Sequence, residues 1–308
     1  MRILRLPEIR QRVSAPAAIA AVAEGFAAYS RGEVTGPPVA HLGFDAPPGD
    51  VHIKAGWRRG DEVFVVKVAS GFYANPQLGL PSSNGLMLVF SARTGAPEAL
   101  LLDEGWLTDL RTAAAGAVAA RHLAPDGVAE IGLVGAGIQA RFQLDLLRHV
   151  TPCRRAVVWA RDFAKARAFA VEGFAVEAVR TLEELAARAR LIVTTTPARE
   201  PLLRAEWIRP GTHVTAVGAD APGKQELDPA LFARAAVRAV DSRVQCFHHG
   251  DSSHALRAGL VGEGDFAELG EIVAGTHPGR TAPDQITVAD LTGLAVQDIQ
   301  VAKLAAAP

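Results

Sequence analysis

The chain has 308 residues, a formal net charge of −1, 49% hydrophobic and 21% charged residues. That length exceeds the usual single domain, so two domains are expected, and the composition excludes wholesale disorder. The balanced charge argues against a nucleic-acid partner, whose phosphates call for a net basic surface or a basic stripe. The two cysteines, Cys153 and Cys246, are too few for a disulfide framework and read as reduced thiols. No apolar run reaches the roughly 18–20 residues of a membrane span, and the opening Met1-Arg-Ile-Leu-Arg-Leu-Pro7 lacks the apolar core of a signal peptide. The cytoplasm, with no membrane partner, is the expected location.

The segment Ala15–Ser30 carries Ile19, Val22, Phe26 and Tyr29 at helical spacing and predicts an amphipathic helix. The period then changes. Segments 39–44, 51–57, 62–70, 85–91 and 98–102 are short β-prone runs separated by Pro, Gly and Asp, with turns at 58–61 and 93–97. The first third therefore reads as an antiparallel sheet flanked by a helix. A small-residue helix is expected over 113–120, with Arg111 just ahead of it. From Val128 onward strands and helices alternate: strands at 129–134, 156–159, 190–195, 213–217 and 235–240, helices at 139–150, 162–171 and 182–187. Such alternation predicts a parallel sheet with helices on both faces. A strand at 286–290 and a helix at 293–307 close the chain, and the C-terminal segment is expected to pack back on the first domain.

Four places carry chemistry. Gly132-Leu-Val-Gly135-Ala-Gly137-Ile138-Gln139-Ala140 spans a strand end and opens a helix. Gly135 permits the tight turn, Gly137 lets the backbone approach a pyrophosphate, and Ala140 keeps the helix close to the strand. This predicts a dinucleotide site. At the end of the following strand, Trp159-Ala160-Arg161-Asp162, Arg161 suits a 2′-phosphate and leans the reading to NADP over NAD, while Asp162 is either a ribose ligand or a helix N-cap. Lys67 lies inside the apolar run Val63-Phe-Val-Val-Lys-Val-Ala69. It is either an edge-strand lysine with a solvated head or a fixed cation for a carboxylate, which the fork of Arg111 would share. Asp220, in Val217-Gly-Ala-Asp-Ala-Pro-Gly-Lys-Gln-Glu-Leu227, follows an apolar strand where ligands of open α/β sheets bind, and suits proton transfer beside a nicotinamide; its alternative is a turn residue.

Two other readings are weaker. Cys246, His248, His249, Asp251 and His254 match no compact zinc spacing, so that segment is expected to be a solvated loop and no metal centre is expected. No Gly-x-Ser-x-Gly elbow exists for an α/β hydrolase.

Lys67 in its strand, Leu107-Thr-Asp-Leu-Arg-Thr-Ala-Ala114, Val134-Gly-Ala-Gly-Ile-Gln-Ala140, Val217-Gly-Ala-Asp-Ala-Pro-Gly-Lys224 and Gly293-Leu-Ala-Val-Gln-Asp298 together resemble the ornithine cyclodeaminase/μ-crystallin family, over nearly the whole chain. The resemblance implies a Rossmann-type doubly wound parallel sheet domain over 113–287, and an α+β substrate-binding and dimerisation domain over 1–112 and 288–308, in a homodimer. It implies that Lys67 and Arg111 hold a substrate carboxylate and that Asp220 is the general acid/base. Gly135, Gly137, Ile138, Gln139 and Ala140 would form the pyrophosphate loop, with Thr112 near the phosphate and Gly293 near the nicotinamide.

One departure bears on substrate. Ornithine cyclodeaminases carry a glutamate thirteen residues before the lysine, suited to a distal ammonium; here that position is Lys54. The arginine those enzymes carry in an earlier strand is absent from Gly36-Pro-Pro-Val-Ala-His41. The Ile-Lys-Ala-Gly context of Lys54 instead resembles the iminosuccinate reductase branch, where Lys54 would meet a second carboxylate; its alternative is a solvated strand lysine. The expectation is an NAD- or NADP-dependent reductase of a small α-imino acid, or the reverse dehydrogenase. The alternatives are ornithine cyclodeamination and a non-catalytic μ-crystallin-like binding protein.

Overall fold

The computed structural model describes residues 1–72 and 74–307. They fall into two compact units, Met1–Arg111 with Leu294–Pro308, and Thr112–Gly293. The sequence reading places the second crossing at 287/288. It falls at 293/294 because the strand Thr287–Asp290 pairs on both sides inside the second sheet.

The first unit opens with β1 (Arg2–Arg5), α1 (Leu6–Arg12) and α2 (Ala15–Ser30). Ser14 caps α2, its hydroxyl accepting Ala17 N–H at 3.4 Å, and Ile19, Val22 and Phe26 are buried along it. The strands follow as β2 (Val34–Thr35), β3 (Ala40–Asp45), β4 (Pro48–Arg58), β5 (Val63–Phe72), β6 (Ser83–Ser91) and β7 (Pro97–Leu102). They form a seven-stranded sheet in the order β1-β7-β6-β5-β4-β2, with β3 also on β4. The sheet is mixed rather than purely antiparallel, because the unforeseen β1 pairs parallel with β7. Strand alternation sends Val65, Lys67, Met87, Val89, Ala99 and Leu101 inward, all buried. The last helix of the chain packs on β4, β5 and α2. Gly56 of β4 permits that approach: a Cβ there would lie 3.0 Å from Ile299 Cδ1.

The helix α3 (Trp106–Leu123) starts earlier than its alanine run suggests, since Asp103 Oδ2 accepts Leu107 N–H at 2.8 Å and nucleates the first turn. Arg111 is therefore inside the helix, not ahead of it.

The second unit continues with β8 (Ile131–Val134), α4 (Ile138–Leu147), β9 (Arg155–Trp159), α5 (Phe163–Arg167), β10 (Ala175–Ala178), α6 (Leu182–Arg188), β11 (Leu191–Thr194), β12 (Arg199–Leu203), β13 (His213–Ala216) and β14 (Gln225–Leu227). Then come α7 (Pro229–Arg234), β15 (Val237–Val240), α8 (Arg243–His249), α9 (Asp251–Arg257), β16 (Ala267–Glu268), α10 (Leu269–Val273) and β17 (Thr287–Asp290). The closing α11 (Ala295–Ala306) belongs to the first unit. Eight strands pair in parallel in the order β10-β9-β8-β11-β13-β17-β15-β16. Strands β8, β11, β13 and β17 are buried throughout, as a sheet covered on both faces requires. The chain leaves β8 toward β9 and returns to β11 on the other side, so the switch of direction falls between β8 and β11.

The expected solvated loop around 246–254 is instead α8 and α9. Cys246, Asp251, Ser252 and Ser253 are all buried there. The composition reads as loop because its polar side chains are spent inside, on backbone groups. Both cysteines are free. Among the described residues no single helix is long and apolar enough to cross a membrane.

Candidate active site

In the first unit, Lys67 sits on β5 between β4 and β6, so it is not an edge lysine, and it is only 2% exposed. Its Nζ donates to Asp298 Oδ1 at 3.0 Å and lies 2.9 Å from Oδ2. Arg111 Nε lies 3.1 Å from the same Oδ1, and Arg111 Nη1 donates to Gln297 Oε1 at 2.8 Å. Lys54 is directly opposite Lys67 in the β4–β5 register and is half-buried. The structure thus brings Lys54, Lys67 and Arg111 of the sequence reading around one carboxylate.

The electrostatics follow. Burial pushes the Lys67 ammonium down to about 7, with Arg111 and Lys54 adding to the fall and Asp298 opposing it. Burial would raise Asp298, but the fields of Lys67, Arg111 and Lys54 outweigh it and hold the carboxyl below its ordinary value. Asp103, also buried, is raised by burial. Asp298 therefore fixes two cations whose remaining donors are suited to a planar carboxylate. Asp298 and Gln297 escaped the sequence reading as site residues, although both stand in the Gly293–Asp298 motif it quoted.

In the second unit, the groups the sequence reading singled out follow the carboxyl ends of parallel strands. Gly135 follows β8 with φ +113°, a left-handed value that favours glycine, and a Cβ there would lie 2.6 Å from Thr195 Oγ1. Its N–H donates to Trp159 O at 2.8 Å, tying the turn after β8 to the end of β9. Gly137 is the N-cap of α4 and is exposed; no side chain caps the helix, and a Cβ at Gly137 would meet nothing within 4 Å. Ile138 is exposed, Gln139 half-buried and Ala140 buried. A ten-residue helix with no side-chain cap and an exposed glycine at its N-cap fits a pyrophosphate. Thr112 O accepts from Gln143 of α4 at 3.1 Å.

After β9, Arg161 and Asp162 are both exposed, and Asp162 caps α5 through Ala164 N–H at 3.0 Å. Asp220, after β13, is 48% exposed at its side chain and meets Lys224 Nζ at 2.5 Å. Gly293, after β17, has φ +87° and donates to Asp241 Oδ2 at 2.6 Å.

Four buried acids, Glu226, Asp241, Asp251 and Asp290, to which the sequence reading gave no such role, hold this edge together. Glu226 accepts Thr194 Oγ1 at 2.6 Å, Thr196 N at 2.6 Å, Thr196 Oγ1 at 2.7 Å and Gly218 N at 2.8 Å. It ties the loop after β11 to the loop that carries Asp220. Asp251 Oδ1 accepts Glu226 N and Leu227 N, each at 2.8 Å. Asp290 Oδ2 accepts Ser252 N at 2.8 Å and its hydroxyl at 2.7 Å. Asp241 holds Thr292 and Gly293. Burial raises the pKa of Glu226, Asp251 and Asp290, the last to about 7. Glu226 stood inside the singled-out segment 217–227, as its one acid besides Asp220, but was given no role there.

A doubly wound parallel sheet, with an uncapped glycine turn at its switch point, is a Rossmann-like fold of the dinucleotide-binding class. The chain belongs to the ornithine cyclodeaminase/mu-crystallin family, whose model matches residues 2–306. The Delta(1)-pyrroline-2-carboxylate reductase of Thermococcus litoralis, solved with NADH and L-proline, is 32% identical with a TM-score of 0.93, covering 99% of this chain and 96% of that one. An archaeal alanine dehydrogenase dimer with bound NAD is 35% identical with a TM-score of 0.91, covering 99% and 95%. The iminosuccinate reductase of Paracoccus denitrificans, in complex with NAD+, is 34% identical with a TM-score of 0.89, covering 99% and 95%.

Proposed function

We propose that this protein is an NAD(H)-dependent reductase of a small α-imino acid, running in reverse as an amino-acid dehydrogenase. The observation that carries the reading is the buried Lys67–Arg111 pair, fixed by Asp298 beside Lys54, in a chain that also holds an uncapped glycine turn. The three relatives act, by name, on imino or amino acids, which supports the same class.

The residues take these roles. Lys67 and Arg111 hold the α-carboxylate, and Lys54 meets a second carboxylate, which favours a dicarboxylic imine such as iminosuccinate. Gly135, Gly137, Ile138, Gln139 and Ala140 hold the pyrophosphate, with Thr112 and Gly293 bordering the cofactor. The bound nicotinamide supplies the hydride that reduces the imine carbon. Asp220 passes a proton to the imine nitrogen on reduction and takes it back on oxidation, with Lys224 holding its carboxylate in place. Arg161 alone argues for a 2′-phosphate, whereas all three relatives were solved with NAD or NADH, so the proposal takes NAD(H). The positive charge of Lys54 disfavours the distal ammonium of ornithine.

A homodimer is part of the proposal. The outward face of the first sheet is apolar and half-buried, with Phe64 stacked on Phe90 and Val66 opposite Leu88. The alanine dehydrogenase relative is a dimer.

Replacing Asp220 by Asn tests the chemistry. Turnover is expected to fall at least 100-fold while NADH binding, read by fluorescence, stays within about twofold. Full activity in that variant overturns the assigned role.

A further inference from the structure

His41, Asp50 and His52 lie at one end of the β3–β4 hairpin, apart from the Lys67 cluster in role and unused by the proposed chemistry. His41 of β3 is paired with His52 of β4 in register, so both imidazoles project from the same face. Their ring centroids are 4.9 Å apart in an edge-to-face arrangement. Asp50 precedes His52 by two residues on the same strand, hence on the same face, and its Oδ1 is 3.8 Å from His52 Nε2. One ligand atom from each residue lies within 4.8 Å of the others.

We propose that these three side chains form a divalent transition-metal site. Two imidazoles and one carboxylate are the donor set of zinc, nickel, cobalt and copper rather than of calcium or magnesium. Bonds of about 2.0–2.1 Å set ligand atoms about 3.3 Å apart in a tetrahedral site. The Asp50–His52 separation is close to that already. His41 is exposed and the other two are half-buried, so side-chain rotation closes the remainder without moving the strands. Three protein ligands leave a position for water.

The site has a structural use. All six residues of β3 are exposed, and among the described residues β3 is paired in the sheet with β4 alone. An ion held by one ligand from β3 and two from β4 clips that strand in place. Two features limit its strength. Lys54, two residues beyond His52 on the same face, repels a cation, and the imidazoles must be neutral to bind. Affinity in the micromolar range at pH 7.5 is expected.

The test is calorimetric titration of the chelator-treated full chain with ZnCl2 and with NiCl2. Wild type should take up one ion per chain, and His41→Asn, His52→Asn and Asp50→Asn should each weaken binding at least tenfold. Zinc should raise the Tm of wild type but not of His52→Asn. The control is His248→Asn with His249→Asn, because those neighbouring rings lie with Nδ1 atoms 3.2 Å apart and offer a competing pair. Binding that survives the hairpin substitutions, that disappears in the control, or that never saturates at one ion overturns the proposal. Both cysteines are buried, so thiol binding does not confuse the result.

Discussion

Lys67 and Asp298 are 231 positions apart in sequence and form a buried pair, with Nζ 3.0 Å from Oδ1 and 2.9 Å from Oδ2. Each is 2% exposed. Burying two charges is expensive, and the pair is stable only because both members are present. Asp298 also lies 3.1 Å from Arg111, so one carboxylate orders two cations.

Replacing Asp298 by Ala leaves both cations buried without their counter-ion. A loss of about 3–5 kcal/mol of stability is expected. Urea unfolding followed by circular dichroism measures it, and a loss below about 1 kcal/mol would mean that water or rearrangement satisfies Lys67 and Arg111 instead.

Carboxylate binding should depend on pH through Lys67. Burial holds this ammonium near 7 in the free protein, so it carries its charge below that pH and loses it above. Affinity for a simple dicarboxylate such as succinate is expected to be level below pH 7 and to fall toward tenfold per unit above it. Lys67→Arg, whose charge persists, should flatten the curve. Calorimetry between pH 6 and 9 decides, and a wild-type profile flat to pH 9 would remove Lys67 from carboxylate binding.

How much of this was legible in sequence depended on distance along the chain. The places of the glycine turn after β8 and of Asp220 after β13 could be read because they are local: strand and turn are contiguous. Lys67 stood out because a charge inside an apolar run demands a partner. That partner, Asp298, was hidden, since nothing local links it to β5. The acids Glu226, Asp251 and Asp290 were hidden for a related reason. Their partners are backbone N–H groups and hydroxyls of other loops, so the surrounding Ser, Gly and His residues imitate a solvated turn. The position of Arg111 was misjudged because the helix starts from the Asp103 cap rather than from its alanine run.

The buried acids should make stability pH-dependent. Asp290 is raised from 3.8 to about 7, chiefly by burial, against the Ser252 hydrogen bonds. Between those values the folded chain holds a proton that the unfolded chain has released. Its stabilising contribution is therefore full below about 3.8 and is lost as pH rises through about 7. Asp290→Asn keeps an acceptor for Ser252 and removes the titration. The difference in Tm between wild type and variant should move in the variant's favour from pH 5 to pH 8, and a constant difference would contradict the assignment.

The outward face of the first sheet should govern assembly. Leu88→Asp places a charge among Val66, Leu86 and Phe90 without touching the inward core. Sedimentation equilibrium at micromolar concentration is expected to show a dimer for wild type and a monomer for the variant. A monomeric wild type, or a variant that remains dimeric, would place the interface elsewhere or remove it.

Imine reduction is read by following NADH absorbance with ammonia and a panel of 2-oxo acids: oxaloacetate, pyruvate and glyoxylate, with pyrroline-2-carboxylate added as a preformed imine. The same panel is run on Lys54→Met. Wild type is expected to consume NADH, fastest with oxaloacetate, and the variant to lose at least tenfold in kcat/KM for oxaloacetate over pyruvate. No consumption with any acid, together with proline and ammonia formed from ornithine, would contradict imine reduction and restore cyclodeamination.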